Sequence, residues 1–207
     1  MQPHKSRYWL QANGEDPQEL QEGIEAVCGV YEQAPSLALE GTHTISTDEM
    51  TGIQALEREV IKPMRAGDVE RIEFEYIRHG TQCLLANFDV VSGQVIAPTV
   101  SDTRTELDFV THLQQTVALA PQEAWIFVLD QLNTHKSESL VRWVADACGI
   151  TDDLGRKGHR GILKSMKTRA AFLNDSTHRI RVVYTPKHSS WLNQVEIWFS
   201  LLVRRLL

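Results

Sequence analysis

The chain has 207 residues, of which 42% are hydrophobic and 23% are charged, and these proportions are ordinary for a globular protein. This length is sufficient for one domain with a full core and marginal for two. The 27 acidic residues outnumber the 21 basic ones, which gives a net charge of −6. That balance argues against a dedicated nucleic-acid-binding module, since such modules are usually basic, but it is compatible with an enzyme whose acidic site holds cations.

Features that would direct the chain to a membrane or an oxidising compartment are missing from the sequence. No stretch approaches the roughly 18 apolar residues of a membrane span, and residues 1–17 lack the apolar core of a signal peptide. The three cysteines, Cys28, Cys83 and Cys148, are odd in number and far apart. We therefore expect a cytoplasmic protein without a membrane partner, whose reduced thiols pack as small apolar groups.

The first third of the chain predicts a helix and then a strand. Helix-like apolar spacing begins at residue 17, and Pro35 is expected to end that helix. Residues 41–50 alternate β-branched and polar residues, which predicts a first strand that stops before Asp48. Residues 52–60 are expected to form a short helical or turn insert.

A hairpin and a helix are predicted next. Two β-rich runs, 83–91 and 94–100, flank the turn pair Ser92-Gly93. A capping box is expected to begin the following helix. The residues of that box are Thr103 and Glu106, and the apolar face of the helix carries Leu107, Val110, Leu113 and Val117.

Residues 125–130, "WIFVLD", form a continuous apolar run that ends in an aspartate. Such a run predicts a central strand that is buried on both faces. Open sheets with helices on their faces bind ligands just beyond the carboxyl ends of these strands, so Asp130 is a candidate site residue. The alternative is that Asp130 only caps the following helix, which is predicted over about 136–147 with Gly149 as its C-cap.

The last third of the chain begins with a polar, glycine-rich and basic segment over 151–179. A last strand is predicted over 179–186, and a helix closes the chain. Three β-rich runs, a helix, a strand, a helix, a strand and a helix form the order of the ribonuclease H-like α/β fold. We therefore predict a mixed five-stranded sheet flanked by helices, with the basic segment inserted before the last strand.

A third candidate carboxylate lies in the last predicted helix. At about 100° per residue, Glu196 falls close to the apolar stripe of Leu192, Phe199 and Val203. A glutamate on an inward face is costly unless it is paired or bound to a cation. A salt bridge to a buried arginine is the structural alternative to a metal site.

The carboxylates of Asp48, Asp130 and Glu196 would converge if the first and fourth strands of the sheet are neighbours. Oxygen ligands of this kind suit Mg²⁺ or Mn²⁺. Two such ions about 3.5 to 4 Å apart can activate a water and stabilise the leaving oxygen of a phosphodiester. The histidines and cysteines form no zinc-like cluster, so a zinc site is rejected.

Three ordered blocks of the sequence resemble the catalytic blocks of DDE transposases, in particular the bacterial insertion-sequence branch of the mariner-like superfamily. These blocks are "STDE" at Asp48, "LDQLNTHKS" at Asp130 and "YTPKHSSWLNQVEIWF" at Glu196, and the resemblance spans about residues 40–205. It implies that these three carboxylates bind two Mg²⁺ or Mn²⁺ ions. It also implies that His135 is the histidine after the second aspartate, and that Asn193 belongs to the Leu-Asn pair before the catalytic glutamate.

The sequence departs from the family pattern in two places. Gln131 stands where many relatives have asparagine, and the 65 residues between Asp130 and Glu196 form a longer gap than is common. The surplus maps to 151–179. From the resemblance we also expect this chain to lack the usual N-terminal DNA-recognition domains, so residues 1–40 are interpreted as a linker and N-terminal helix. Residues 41–207 are interpreted as the catalytic domain of a fragment.

The resemblance implies hydrolysis of a DNA phosphodiester and then attack of the freed 3′-hydroxyl on target DNA, so transposon ends and target DNA are the expected partners. Six basic residues and no acidic one lie within 155–174, which indicates a phosphate-binding segment; solvated surface charge is the alternative. The candidate DNA-contacting residues are His135, Lys136, Lys164, Lys167, Arg169, Lys187, His188 and Asn193.

Three other functions stay open at this point. The chain could be a general ribonuclease H-like nuclease, or a decayed product with no activity. It could also be a non-catalytic remnant that associates with full-length transposase or with a second copy. Association is suggested by apolar residues of the last helix that lie away from Glu196 and could form an interface. These residues are Trp191, Ile197, Trp198 and Leu201.

Overall fold

The computed structural model describes residues 17–58, 60–62, 65–69 and 71–206. Its centre is a five-stranded sheet in the order β5-β4-β1-β6-β7, and two short strands, β2 and β3, pair separately. The strands are β1 (Thr42–Glu57), β2 (Val60–Lys62), β3 (Arg71–Ile72), β4 (Ile77–Asp89), β5 (Gln94–Ser101), β6 (Ala124–Leu129) and β7 (Ile180–Tyr184).

The sheet is mixed in direction. Strand β4 pairs antiparallel with both β1 and β5, whereas β6 pairs parallel with both β1 and β7. An antiparallel meander of three strands that continues into parallel strands on the far side of β1 is the arrangement expected of the ribonuclease H-like fold. The structure therefore confirms the predicted fold class, the hairpin and the adjacency of the first and fourth main strands.

Helices cover both faces of the sheet. The helices are α1 (Pro17–Leu39), α2 (Glu106–Val117), α3 (Glu138–Ala147), α4 (Met166–Leu173) and α5 (Val195–Leu206). On one face, α2, α3 and α4 bury a large apolar core against Phe127 and Leu129 of β6. On the other face, α1 packs on Ile126 and Val128, and α5 packs on β4. Strand β6 is thus buried on both faces, as its continuous apolar sequence predicts. Within the described residues, no helix combines the length and apolar character needed to cross a membrane.

Two predicted element ends were wrong. Helix α1 continues through Pro35 to Leu39. Pro35 is on the exposed side of α1, where the carbonyl that loses its helical partner can be hydrated, while Ala34 stays buried. Strand β1 runs to Glu57 instead of giving way to a helical insert, because its outer half pairs with β4. The register shifts beside Gly52, whose φ of 74° permits the bulge.

The helix-capping prediction was shifted by two residues. The capping box of α2 is formed by Thr105 and Asp108, and not by Thr103 and Glu106. Thr103 donates a hydrogen bond to the same Asp108 carboxylate, so two overlapping Thr-x-x-acid patterns compete and the later one sets the helix start. Leu107 is consequently exposed, whereas the other three predicted apolar positions of this helix are buried.

The segment 151–179 contains secondary structure that the sequence pattern did not reveal. A 3₁₀ turn (Ile162–Lys164) leads into α4, and Leu163 and Leu173 join the main core. Most apolar residues of α4 are grouped at its C-terminal end instead of recurring at helical spacing, so the sequence pattern indicated a loop. This part of the segment therefore belongs to the helical layer on the α2 side of the sheet.

Candidate active site

The two aspartates lie side by side on neighbouring strands. The last parallel residue pair between β1 and β6 is Ser46 with Val128, so Asp48 and Asp130 each follow two residues later. Asp48 lies inside β1, and not after the first strand as predicted, because β1 continues to Glu57. Asp130 follows the last residue of β6. The sheet itself therefore brings these two carboxylates to one place.

Asp48 is buried and held from two directions. Its Oδ1 accepts a hydrogen bond from the Glu49 backbone N–H at 2.7 Å, and its Oδ2 accepts one from Asn193 Nδ2 at 3.0 Å. Burial raises the pKa of Asp48 to about 6, and the negative charges of Asp130 and Glu196 act in the same direction. The ionised Asp48 carboxylate is therefore electrostatically disfavoured in the folded chain.

Asp130 has the opposite electrostatic balance. Its Oδ1 lies 2.7 Å from Nδ1 of His135 and accepts a hydrogen bond from the Leu132 backbone N–H at 2.9 Å. Burial alone would raise the pKa of Asp130, but the hydrogen bond and charge of His135 outweigh it and lower that pKa. The alternative that Asp130 only caps the following helix is wrong, because the N-cap of α3 is Ser137.

His135 is fully buried and lies between two carboxylates. Its ring packs against Phe109 with centroids 4.2 Å apart, and its Nε2 lies 3.5 Å from Glu49 Oε1. Burial would lower the pKa of His135, but the hydrogen bond to Asp130 and the negative charges of Asp130 and Glu49 raise it to about 9. Because none of the residue is exposed, the structure argues against the predicted contact between His135 and DNA.

Asn193 is also completely buried, which argues against its predicted contact with DNA. Its Nδ2 donates to the Thr47 carbonyl at 3.1 Å as well as to Asp48, and its Oδ1 accepts from the Ser46 hydroxyl. Asn193 precedes α5, and all three partners belong to β1. The amide therefore fixes the start of α5 against the strand that carries Asp48.

Glu196 lies in the first turn of α5, and its side chain is exposed. The predicted inward stripe was wrong in part: Leu192 belongs to a separate 3₁₀ turn, and Val203 is 50% exposed. Helix α5 begins only at Val195, so Val195 and Phe199, four residues apart, set the buried face. Glu196 lies at the edge of that face, and its exposure excludes the alternative of a buried salt bridge.

Glu196 shares an open cleft with Met50, Phe199 and Ser200. The negative charge of Glu196 contributes to the raised pKa of Asp48. Within the described residues, however, no three His, Cys, Asp or Glu side chains are close enough together to hold a metal ion as they stand. The structure thus brings the two aspartates together on adjacent strands and places Glu196 beside them on the solvent side.

The predicted DNA-contacting cations divide into exposed and structural ones. Lys164, Lys167, Lys187 and His188 are exposed. Lys136 is partly buried: its Nζ donates to Gln131 Oε1 at 2.6 Å and lies 4.7 Å from the centre of the Tyr184 ring.

Arg169 belongs to the structural group. It is 6% exposed and donates to the backbone carbonyl of Lys136 at 2.6 Å. Its guanidinium therefore connects α4 to the turn after β6, which argues against the predicted contact of Arg169 with DNA.

Sequence reasoning missed Glu49. Its side chain is 3% exposed and pairs with His135 and, at 3.7 Å, with Arg104. The available signal was its position next to Asp48 on a strand, since alternation places neighbouring side chains on opposite faces. A charged residue directed to the apolar face of a sheet requires a partner, and His135 could have been named as one.

The apolar face suggested for association is largely exposed. Trp191, Ile197 and Leu201 are 67%, 65% and 46% exposed, respectively, whereas Trp198 packs against the core beneath α5. Association through this face stays a prediction.

The fold of the chain agrees with the comparison to known protein families. A model described as DDE superfamily endonuclease matches residues 43–207. The chain belongs to this family of endonucleases. No curated protein shows significant sequence similarity to the chain.

Among solved structures, the chain is similar to the Mos1 mariner paired end complex with Mn, at 14% identity and a TM-score of 0.40. It is also similar to the Mos1 strand transfer complex, at 15% identity and a TM-score of 0.37. These alignments cover 95% of this chain and 59% and 58% of the respective Mos1 chains, so the chain spans less than two thirds of their length. Likeness at this level carries no information about activity.

Proposed function

We propose that the chain is a transposase-type DNA endonuclease that cuts a phosphodiester with divalent cations and then joins the freed 3′ end to target DNA. The observation that carries this proposal is the buried Asp48 carboxylate, which lies beside Asp130 and in the field of Glu196. A carboxylate with a strongly perturbed pKa among others of like charge is characteristic of a functional site. Membership of an endonuclease family supports the same reaction class.

The donor atoms of this site suit a hard cation. Asp48, Asp130 and Glu196 offer only carboxylate oxygens, which Mg²⁺ and Mn²⁺ prefer. A cation would also offset the burial and the like-charge repulsion that raise the pKa of Asp48. We propose that these three residues hold two such ions, which supply activation of a water and stabilisation of the leaving 3′ oxygen.

Other residues of the chain would orient the metal ligands and bind DNA. Asn193 and the Glu49 N–H orient Asp48, whereas His135 and the Leu132 N–H orient Asp130. Glu196 is exposed, so its carboxylate can change rotamer and complete the site without disturbing the core. The exposed side chains of Lys164, Lys167, Lys187 and His188 are proposed to neutralise phosphates of the transposon ends and target DNA.

Nicking of supercoiled plasmid in Mg²⁺ or Mn²⁺ tests the cleavage half of the proposal. We expect the purified chain to nick, and Asp130→Asn to reduce the rate by about a thousandfold, since loss of metal-based charge stabilisation removes several kcal/mol. The matched control is Asp152→Asn, because Asp152 is exposed; it should retain wild-type activity. Absence of metal-dependent nicking in the wild type would refute the proposal.

Joining of a labelled oligonucleotide with a free 3′-hydroxyl to plasmid tests the strand-transfer half. A joined product that requires inverted-repeat ends supports transposition. Cleavage of unrelated RNA–DNA hybrids without any joined product would instead identify a general ribonuclease H-like nuclease.

A further inference from the structure

A second buried carboxylate lies directly behind the proposed metal site. Glu49 follows Asp48 on β1, and because side chains alternate along a strand it points to the opposite face of the sheet. Its side chain is 3% exposed. A carboxylate buried to this extent is costly unless opposite charges compensate it.

A histidine ring and a guanidinium group face the two oxygens of Glu49. Nε2 of His135 lies 3.5 Å from Oε1, and Nη1 of Arg104 lies 3.7 Å from Oε2. At 3.5 Å the first contact is longer than an ordinary hydrogen bond. Since Nε2 makes no hydrogen bond within the described part of the chain, the contact with Glu49 is the polar contact that holds this end of the ring.

The other end of the same ring holds a proposed metal ligand. Nδ1 of His135 lies 2.7 Å from Oδ1 of Asp130, and the ring face rests on Phe109. Oδ1 of Asp130 also accepts the Leu132 N–H. A carboxylate oxygen has two acceptor positions, so Oδ1 is fully engaged by protein donors and Oδ2 is left as the oxygen that can take a cation.

We propose that Glu49 is a positioning residue for Asp130. It anchors Nε2 of the His135 ring so that Nδ1 stays on Oδ1 of Asp130, which fixes the orientation in which Oδ2 can take a cation. This inference rests on the proposed function, because it assumes that Asp130 is a metal ligand. Partners that orient a ligand from behind typically contribute about 10- to 100-fold in metal affinity or activity.

Mn²⁺ binding to the DNA-free chain, measured by electron paramagnetic resonance, tests this role without a catalytic readout. Glu49→Leu preserves approximate volume but removes the acceptor, so it should weaken Mn²⁺ binding by about 10- to 100-fold. Glu49→Gln keeps an oxygen at the same reach and should restore most of the affinity. Glu49→Leu should also shift the ¹⁵N signals of the His135 ring in the metal-free protein, because one of its two charged partners is gone.

The same strand provides a matched control. Glu57 also belongs to β1 and also pairs with a histidine, His79, at 2.6 Å, but both side chains are more than half exposed. Glu57→Leu should therefore leave Mn²⁺ affinity and the His135 signals unchanged. A general effect of removing a glutamate from this strand would appear in both variants.

Glu49→Asp keeps the inference testable if Glu49→Leu does not fold. It retains the charge but withdraws the carboxylate by one methylene, and it should weaken Mn²⁺ binding. If Glu49→Asp and any folded Glu49→Leu bind Mn²⁺ like the wild type while Asp130→Asn does not, the positioning role is wrong and the metal site stands. If Asp130→Asn itself binds Mn²⁺ with wild-type affinity, the proposed metal site is wrong.

Discussion

The two aspartates and the glutamate of the candidate site are held in different ways. Asp48 and Asp130 sit on adjacent strands of the sheet, and each carboxylate accepts two hydrogen bonds or ion-pair contacts from groups fixed by the fold. Glu196 sits on a helix at the edge of the buried face with its side chain in solvent. Folding therefore sets the orientation of the aspartates, whereas the glutamate remains adjustable.

The two halves of the site, the aspartates and the glutamate, therefore differ in their effect on the stability of the fold and in their exposure to solvent. The strand-held half contains the buried Asp48 carboxylate, whose pKa is raised by burial and by the charges of Asp130 and Glu196, so its ionised form destabilises the folded chain. The helix-held half supplies one of these charges but is itself solvated. Variants in the two halves should therefore have similar effects on activity and different effects on stability.

The largest expected effect is loss of activity at Glu196. Glu196→Ala should reduce metal-dependent nicking by about a thousandfold, which corresponds to several kcal/mol of lost charge stabilisation. Its metal-free melting temperature should stay the same or rise slightly, because an exposed carboxylate that repels Asp48 is removed. Nicking assays and thermal unfolding in a chelator measure the two quantities.

Ser200→Ala is the control for Glu196→Ala, since Ser200 is an exposed neighbour that lines the same cleft. It should change neither quantity. A clear drop in the melting temperature of Glu196→Ala would show that Glu196 has a structural partner, and the contrast between the two halves would then fail.

The second prediction concerns the pH dependence of stability at Asp48. The pKa of Asp48 rises from 3.8 to about 6 on folding, so the folded chain holds a proton that the unfolded chain releases. Stability from this group is therefore greatest below about pH 4 and falls as the pH rises to about 6. At about 1.36 kcal/mol per pKa unit, the loss approaches about 3 kcal/mol at neutral pH.

Asp48→Asn removes this titration, so urea unfolding of the metal-free variant and wild type should diverge as the pH rises from about 4 to 7. The difference between the two chains isolates Asp48 from the shifted groups Asp130 and His135, which both chains share. Parallel pH profiles for the two would mean that Asp48 is not destabilised by its surroundings.

Sequence patterns predicted the parts of this site that depend on local periodicity. The continuous apolar run before Asp130 predicted a strand buried on both faces, and β6 is such a strand. The prediction that Glu196 faces inward was wrong because it assumed one continuous helix from Leu192, whereas the helix starts only at Val195. Periodicity does not indicate where a 3₁₀ turn interrupts the register.

The parts that depend on long-range contacts could not be predicted in this way. The outer half of β1 is a strand because β4 pairs with it, and no local pattern marks that pairing. His135 and Arg169 looked like cations available to DNA, but tertiary packing buries both. A single sequence shows charge and spacing, whereas burial follows from which elements meet.

The smallest expected effect is on DNA binding by the basic segment before β7. This segment also contains both solvated and structural cations. Lys164 and Lys167 are exposed, whereas Arg169 is 6% exposed and bonded to the Lys136 carbonyl. Changing both lysines to alanine should weaken binding to all duplex DNA sequences alike. The log–log salt slope of binding should flatten by up to about 1.8, because each phosphate contact contributes about 0.9.

Arg169→Ala should instead destabilise the fold by about 1 to 3 kcal/mol, because it leaves the carbonyl of the partly buried Lys136 without that donor. Arg142→Ala is the control for surface charge, since Arg142 already pairs with Glu138, and it should leave the salt slope nearly unchanged. Salt titrations of duplex binding by fluorescence anisotropy distinguish these outcomes. Neutralising a phosphate releases counterions whatever the DNA sequence. If the double lysine variant binds DNA with unchanged affinity and salt slope, these two lysines therefore contact no phosphate and are only solvated.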